Sequence, residues 1–395
     1  MMGVKVSPAK PAQPKINTLF EEDRLLNRFK YFIVFQTLFG VNRIYLLDAG
    51  RIKTWLSYLY NCGTIALVIY FMFHKDSIAT TFLVYQDTAL VENLLLTVNS
   101  LILHKNSLLK FFKRINTFDE MLNIKNNSSI ECSLQIPVVF LSVLFVFIAI
   151  ECVLLKIYVI DRVSLNSTFF ITYYALLAHD TEIIFFCVML IMIVRRVKVL
   201  KGHVAKLFVH EKGMKENNYN TLEALSNKAN LDVSSLHSAY DLLHNCSEKL
   251  NSAMNLPMII IFITSGLSSI MLLRNIFCVV QTDWIDNFYV QALICYAIGH
   301  CMKFTILVVM PCYFSNITTT QVTIIRTMLH DAINTMNMDK IERRKLKAFF
   351  QLTRDCDFGY ALWGVIKMDM SLPLSYCSLC VTYLIIVVQF SKFID

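Results

Sequence analysis

The last apolar segment of the chain carries two polar side chains seven residues apart. Thr382 and Gln389 share one face if the segment is helical, because seven residues make about two helical turns. An amide near the outer end of a membrane span can line a water-filled path, and the neighbouring Phe390 can plug such a path. The alternative is an ordinary helix end with an amide and an aromatic ring at the membrane interface. The spacing alone is compatible with both interpretations.

Ionisable and amide residues also recur inside the other apolar segments. Such groups are costly in a membrane unless they are paired or hydrated. They are Gln86, Asp87, Glu92, Glu151, Lys156, His179, Asp180, Glu182, Arg274, His300 and Lys303. For any single residue, the simplest interpretation is a hydrogen bond between helices that fixes the bundle geometry. As a set, these residues predict a bundle with a polar interior.

Several of these residues fall with aromatic residues in the predicted outer halves of the spans. Aromatic rings and a few polar groups inside a helical bundle are typical of a cleft that binds a small molecule. The candidate ligand-binding residues are Tyr85, Gln86, Asp87, Glu151, Tyr173, Tyr174, Arg274, Asn275, Gln291 and Tyr296. The sequence does not decide which of them face the interior.

The composition predicts which elements position these residues. Of 395 residues, 56% are hydrophobic and 17% are charged, whereas soluble domains are about a quarter charged. The chain is therefore predicted to be an all-α polytopic membrane protein. Seven apolar segments are long enough to span a bilayer. They are Trp55–Phe73, Ala79–Leu103, Leu134–Ile160, Ser167–Val194, Asn255–Val280, Phe288–Phe314 and Leu372–Phe390.

Local signals refine the ends of these segments. A proline is tolerated in the first turn of a helix, so Asn255–Pro257 and Ser371–Pro373 predict helix starts. The shorter run Phe32–Leu47 is interrupted by polar residues and predicts a helix at the cytosolic interface. Two further segments, Thr221–Leu250 and Ile317–Phe350, repeat apolar residues at helical spacing. We expect these two amphipathic segments to pack together in the cytosol.

The positive charge indicates the orientation of the chain in the membrane. The net charge is +8, and most Lys and Arg residues lie before the first span and in every second loop after it. Because cationic residues stay on the cytosolic side, the N-terminus is predicted to be cytosolic and the C-terminus extracellular. The same distribution argues against nucleic-acid binding, since the charges flank spans and no nucleic-acid-binding motif accompanies them.

No catalytic motif appears in the sequence, so we predict no enzyme activity and no cofactor. The phosphate loop and the G-x-S-x-G and H-E-x-x-H patterns are missing. Cys377 and Cys380 have C-x-x-C spacing but lie in an apolar segment without a second pair, so no metal site is predicted. Asn166 opens the one glycosylation triplet in a predicted outside loop.

A resemblance to a known family rests on the last apolar segment. Thr382-Tyr383, five apolar residues and then Gln389-Phe390 resemble the signature of insect gustatory receptors, which are related to insect odorant receptors. Every specified position of that pattern matches. Asp357–Tyr360, Met368–Met370 and Leu38–Gly40 also resemble family segments that precede the last and the first span.

The resemblance implies a tastant-gated, non-selective cation channel in the plasma membrane of chemosensory neurons. Four subunits, identical or related, would each contribute the last helix to a central pore. Gln389 and Phe390 would then lie at its narrow outer part, with Thr382 and Tyr383 two turns deeper. Basic residues would fall on the cytosolic helix before the pore helix, as a solvated face. These residues are Arg343, Arg344, Lys345 and Lys347.

The resemblance also implies a division of the chain and a class of ligand. Residues 1–54 form a cytosolic segment with an interfacial helix; 55–314 hold spans one to six and a cytosolic helical loop at 195–254; 315–371 form cytosolic anchor helices; 372–395 form the pore-lining helix and an extracellular tail. The segment Met368–Leu374 is more similar to the non-sugar members of the family. This favours bitter or plant-derived compounds, with sugars as the alternative.

Two other kinds of membrane protein remain as alternatives. A G-protein-coupled receptor also has seven spans, but in the opposite orientation. Asp161-Arg162-Val163 imitates a motif of those receptors, but the charge distribution places it outside, so we interpret the match as accidental. The second alternative is a transporter for small molecules.

Overall fold

The computed structural model describes most of the helical chain. The residues described are 24–47, 50–73, 80–102, 105–122, 167–209, 231–281 and 288–394, together with short pieces between 124 and 153. Asn166 and most of the predicted third span lie outside them. Apart from one short hairpin, the regular elements described are helices, as the composition predicts.

The long helices follow the predicted spans. They are α1 (Arg24–Leu38), α2 (Arg51–Phe73), α3 (Thr80–Ile102), α4 (Lys105–Met121), α5 (Ser167–Val209), α6 (Val233–Gln281), α7 (Phe288–Thr335), α8 (Lys340–Asp355) and α9 (Ser371–Ile394), with a 3₁₀ turn at Ile44–Leu47. By length and composition alone, the described helical stretches Arg51–Phe73, Val233–Arg274 and Ile294–Thr335 are apolar enough to cross a membrane.

Helices α6 and α7 run without a break from membrane segments into the amphipathic segments. The predicted helix start at Asn255 is therefore wrong, because Pro257 lies inside α6. Pro311 likewise lies inside α7. Neighbouring helices and local adjustments in a membrane protein can satisfy the backbone carbonyl that a proline leaves without its donor. The prediction for Pro373 is confirmed, since α9 begins at Ser371.

Helix α5 is the central element of the bundle. Nearly every side chain from Ala178 to Val194 is buried, including those of Phe185 and Phe186. A helix that is buried all round must be enclosed by other helices, and α3, α6 and α7 pack around this one. The ionisable groups of α5 therefore have to find their partners inside the protein.

The N-terminal segment is inserted in the bundle. The sequence predicts only a helix that lies at the cytosolic interface. Phe29, Ile33 and Gln36 of α1 are almost completely buried. The chain then turns at Gly40, whose φ of 90° is a conformation that other residues adopt only with strain. This turn sends the chain back towards α2 and places Arg43 inside the protein.

The amphipathic segments pack together, as the sequence predicts. Tyr240 of α6 contacts the ring of Phe349 of α8, with ring centroids 5.8 Å apart, and donates a hydrogen bond of 2.7 Å to the carbonyl of Cys356. Arg326 of α7 donates to the carbonyl of Thr353 at 2.6 Å. Ile341 does not join this core, because its side chain is exposed at the start of α8.

A short hairpin connects α8 to α9. Strands β1 (Ala361–Leu362) and β2 (Ile366–Lys367) pair in antiparallel fashion around a turn in which Trp363 and Gly364 have positive φ. The Asn255 side chain accepts a hydrogen bond from the Trp363 amide and fixes the turn to α6. The Asp369 carboxylate accepts bonds from the amide and hydroxyl of Ser371, which lower its pKa and cap α9.

Candidate functional site

Two of the predicted ligand-binding tyrosines meet in one buried cluster. Tyr173 of α5 and Tyr296 of α7 pack with apolar residues of α2, α3 and α6, and we call this group the tyrosine cluster. Its buried members are Val68, Ala89, Leu90, Ile171, Tyr173, Ala175, Leu176, Leu272, Tyr296, Ala297 and Phe304. Tyr174 packs against it and contacts the ring of Phe39 at 5.5 Å. The residues of the cluster are of the aromatic and apolar types that commonly line small-molecule sites.

The other candidate ligand-binding residues differ in how far they are buried. Asp87 is half-buried on α3, one residue before Thr88, whose hydroxyl lies 3.1 Å from that of Ser268 on α6. Arg274 is half-buried on α6, and its Nε has no hydrogen-bond partner among the described residues. Gln291 is exposed. The side chains of Tyr85, Gln86, Glu151 and Asn275 lie outside the described part.

A layer of buried pairs of ionisable residues lies next to the tyrosine cluster. His179 of α5 contacts Glu92 of α3 at 2.5 Å, and Lys303 of α7 contacts Asp180 at 3.1 Å. All four side chains are at least nine-tenths buried. The sequence marks each of these residues as an ionisable group inside a span, but it does not reveal the pairing, which depends on how the helices assemble.

A third buried pair anchors the inserted N-terminal segment. Arg43 and Glu182 of α5 are 2.5 Å apart, and their side chains are only 6% and 2% exposed. Arg43 also donates to Gln36 at 2.9 Å and lies over the ring of Phe185 at 3.8 Å. The sequence does not place Arg43 inside a predicted span. The available signal is that Arg43 interrupts the apolar run Phe32–Leu47.

A cavity beside this pair has room for about one water molecule. Arg43, Tyr45, Asn99 and Glu182 contribute to its lining. The side-chain oxygens Asn99 Oδ1 and Glu182 Oε2 have no hydrogen-bond partner among the described residues. The cavity is thus polar and far too small for an organic ligand.

Helix α9 is held to the bundle along one narrow stripe. Among the side chains that the structure describes on this helix, the buried or half-buried ones are those of Leu372, Pro373, Tyr376, Cys380 and Leu384, which lie within about 120° of one another around the helix axis. Thr382 and Gln389 follow Cys380 by two and nine residues, which places them about 200° and 180° around the helix from it. Both are exposed, as is Tyr383, whereas the side chain of Phe390 lies outside the described part.

The far side of α9 therefore mixes apolar residues with exposed polar ones, which include Ser375 and Ser378 besides Thr382 and Gln389. Leu374, Leu379 and Ile385 on the same helix are more than half exposed. A helix that is attached by one stripe and exposes both apolar and polar residues needs further neighbours, such as lipid or other subunits. The basic residues Arg343, Arg344, Lys345 and Lys347 are exposed on α8, as predicted for a solvated face.

Comparisons with known proteins agree with this architecture. A sequence model of a family described as 7tm Chemosensory receptor matches residues 29–394. The structure of the insect olfactory receptor OR5 from Machilis hrabei is similar at a TM-score of 0.62 and 13% identity, covering 94% of this chain and 100% of that one. The same receptor in complex with eugenol is similar at 0.60 and 14%, with the same coverage. No curated protein sequence matches the chain.

Proposed function

Because the chain belongs to the 7tm chemosensory receptor family of insects, a class of receptors rather than enzymes, and has its seven-span fold, we propose that it is a gustatory receptor acting as a tastant-gated, non-selective cation channel. The observation that carries the proposal is the position of Thr382 and Gln389, opposite the stripe that attaches α9. Polar groups on the free face of a membrane helix are stable where water reaches them. A pore shared with other subunits supplies that water.

The ligand would bind at the tyrosine cluster and open the pore through the bundle. Helices α2, α3, α5, α6 and α7 all contribute residues to this cluster, so a bound molecule changes how these helices pack. A ligand shifts the equilibrium towards the open state only as far as it binds that state more tightly. We propose that the pore helices separate in this state and that Phe390 leaves the pore axis.

The residue types of the tyrosine cluster favour bitter or plant-derived compounds over sugars. Its buried members are aromatic or aliphatic, and the tyrosine hydroxyls are its main polar groups. Sugars require many hydrogen-bonding partners, because leaving their hydroxyls unpaired in a buried site is costly. The similar olfactory receptor solved with eugenol is consistent with an aromatic ligand. Sugars remain the second class to be tested.

We propose that the assembled receptor is a homotetramer, or a heterotetramer with related receptors, in the plasma membrane of chemosensory neurons. Its partners are then lipid, the tastant and the permeating cations. Residues 55–314 bind the ligand, 315–371 form the cytosolic anchor and 372–395 line the pore. The exposed apolar residues of α9 support contacts with lipid or other subunits.

Expression in cells with current recording tests the channel function. We expect quinine, caffeine, denatonium, sucrose, fructose or eugenol to evoke a cation current in cells that carry the chain.

Gln389→Ala should change permeation or gating, because it removes the outer amide of the pore. Gln351→Ala is the matched control, since Gln351 is exposed on α8 and bonds only to its helix neighbour Asp355 among the described residues. A response that requires G-proteins, without intrinsic conductance, would contradict the proposal.

An epitope tag at the N-terminus separates the channel from a G-protein-coupled receptor. Because most Lys and Arg residues lie on the N-terminal side of the first span and in alternate loops, we expect staining only after the cells are permeabilised. Staining of intact cells would support the opposite orientation. A transporter would instead show saturable uptake of a substrate without channel currents.

A further inference from the structure

Helix α6 carries mostly small side chains where four other helices approach it. The segment Thr264–Ser269, which we call the junction segment, consists of small residues apart from Leu267. Its side chains or backbone contact residues on α3, α5, α7 and α9 within little more than one turn. The pairs are Ser268 with Thr88, Ser265 with His179, Ser269 with Cys301 and Gly266 with Tyr376. Small side chains at this level therefore let four helices approach α6 closely.

The approach of Tyr376 to Gly266 joins the bundle to the pore helix. A Cβ added to Gly266 would lie 3.3 Å from the hydroxyl of Tyr376 and 3.5 Å from its ring. The hydroxyl of Tyr376 is buried and has no hydrogen-bond partner among the described residues. A buried hydroxyl without a partner costs about 1–3 kcal/mol. The two residues therefore pack closely, but the Tyr376 hydroxyl is left without a hydrogen bond among the described residues.

A continuous series of contacts links this point to the tyrosine cluster. Tyr296 stacks on His300 with ring centroids 5.6 Å apart, and His300 meets Phe304 edge-on at 4.5 Å. Phe304 lies 5.2 Å from the ring of His179. His179 then lies 3.4 Å from the hydroxyl of Ser265, the residue before Gly266.

We propose that the contact between Tyr376 and Gly266 transmits ligand binding from the tyrosine cluster to the pore helix. Tyr376 is then a positioning residue for gating, and the inference rests on the proposed channel function. Packed interfaces of this kind have discrete arrangements and do not deform continuously. The unsatisfied hydroxyl favours a second arrangement in which it has a hydrogen-bond partner. A shift of α9 into such an arrangement would also move Gln389.

A labelling experiment tests this coupling without a ligand. In intact cells, the rate at which a membrane-impermeant maleimide labels Gln389→Cys from outside reports the position of the pore helix. We expect Gly266→Ala to change this rate about threefold or more, because its methyl group displaces Tyr376. Tyr376→Ala leaves room for the methyl group, so Gly266→Ala should have no further effect in that background. Tyr376→Phe, which keeps the ring, should change the rate by removing the unsatisfied hydroxyl.

The controls separate the coupling from the channel function itself. Gly63→Ala is the matched glycine variant, because an added Cβ there meets nothing within 4 Å. The chain without Gln389→Cys gives the labelling of the native cysteines, and surface biotinylation gives the amount of folded protein. If both Gly266→Ala and Tyr376→Phe leave the rate unchanged, or if Gly266→Ala acts equally with and without Tyr376, the coupling is wrong. If Gln389→Cys is never labelled from outside, the proposed pore position is wrong.

Discussion

Replacing Arg43 with methionine should lower the free energy of unfolding by about 3–5 kcal/mol, because it leaves a buried carboxylate without its counter-charge. Glu182 is only 2% exposed, so bulk solvent does not replace the guanidinium. The same change also removes the hydrogen bond to Gln36 and the cation–π contact with Phe185. The loss can be measured by SDS titration of the receptor purified in detergent micelles.

Two further variants show whether the buried charge is the cause. Arg344→Met removes the same charge from an exposed position on α8 and should change the stability by less than about 0.5 kcal/mol. Combining Arg43→Met with Glu182→Leu should recover part of the loss, because no unpaired charge then remains. Equal stability of the two arginine variants would mean that Arg43 is not buried against Glu182.

Replacing Gly40 with alanine should lower the free energy of unfolding by about 2–4 kcal/mol, from backbone strain and overpacking together. Gly40 has a φ of 90°, and a Cβ there would lie 2.8 Å from the Thr97 hydroxyl oxygen. Real Cβ atoms do not approach other atoms so closely, so either the Thr97 side chain or the turn that inserts Arg43 has to move. The same SDS titration measures this loss.

The contributions to the Gly40 effect can be separated. Thr97→Ala removes the nearest clashing atom and should recover only the steric part, leaving the strain of the positive φ. Gly63→Ala on α2 meets no neighbouring atom and should leave the stability unchanged or raise it slightly, because alanine favours helices. If Gly40→Ala is as stable as Gly63→Ala, the turn at Gly40 does not have the described conformation.

Much of the fold follows from the sequence, because hydropathy reports membrane helices directly. The predicted spans 55–73 and 372–390 agree with α2 and α9 to within about four residues. The continuity of α6 through Pro257 could not be predicted, because proline alone indicates a helix start, and only packing against neighbours lets the helix continue. The burial of α1 likewise depends on the pairing of Arg43 with Glu182, which are 139 residues apart in sequence.

The candidate site could be predicted only in part. The motif at Thr382 and Gln389 places two polar groups on one face of a helix, and helical geometry is enough to predict that relation. Tyr173 and Tyr296 were predicted as ligand-binding candidates, but their meeting in one cluster depends on how α5 and α7 pack. The contact of Tyr376 with Gly266 has no local signal, since glycine and tyrosine are both common in membrane helices.

The most direct test of the proposed function is a current recording from cells that express the Gln389→Cys variant. A positively charged, membrane-impermeant thiol reagent is applied from outside while one of the compounds named above holds the channel open. If Gln389 lines the outer part of the pore, the reagent should reduce the current irreversibly, and the unsubstituted chain should be unaffected. A current that the reagent leaves unchanged, despite complete labelling of the cysteine, would contradict a pore lined by the last helix.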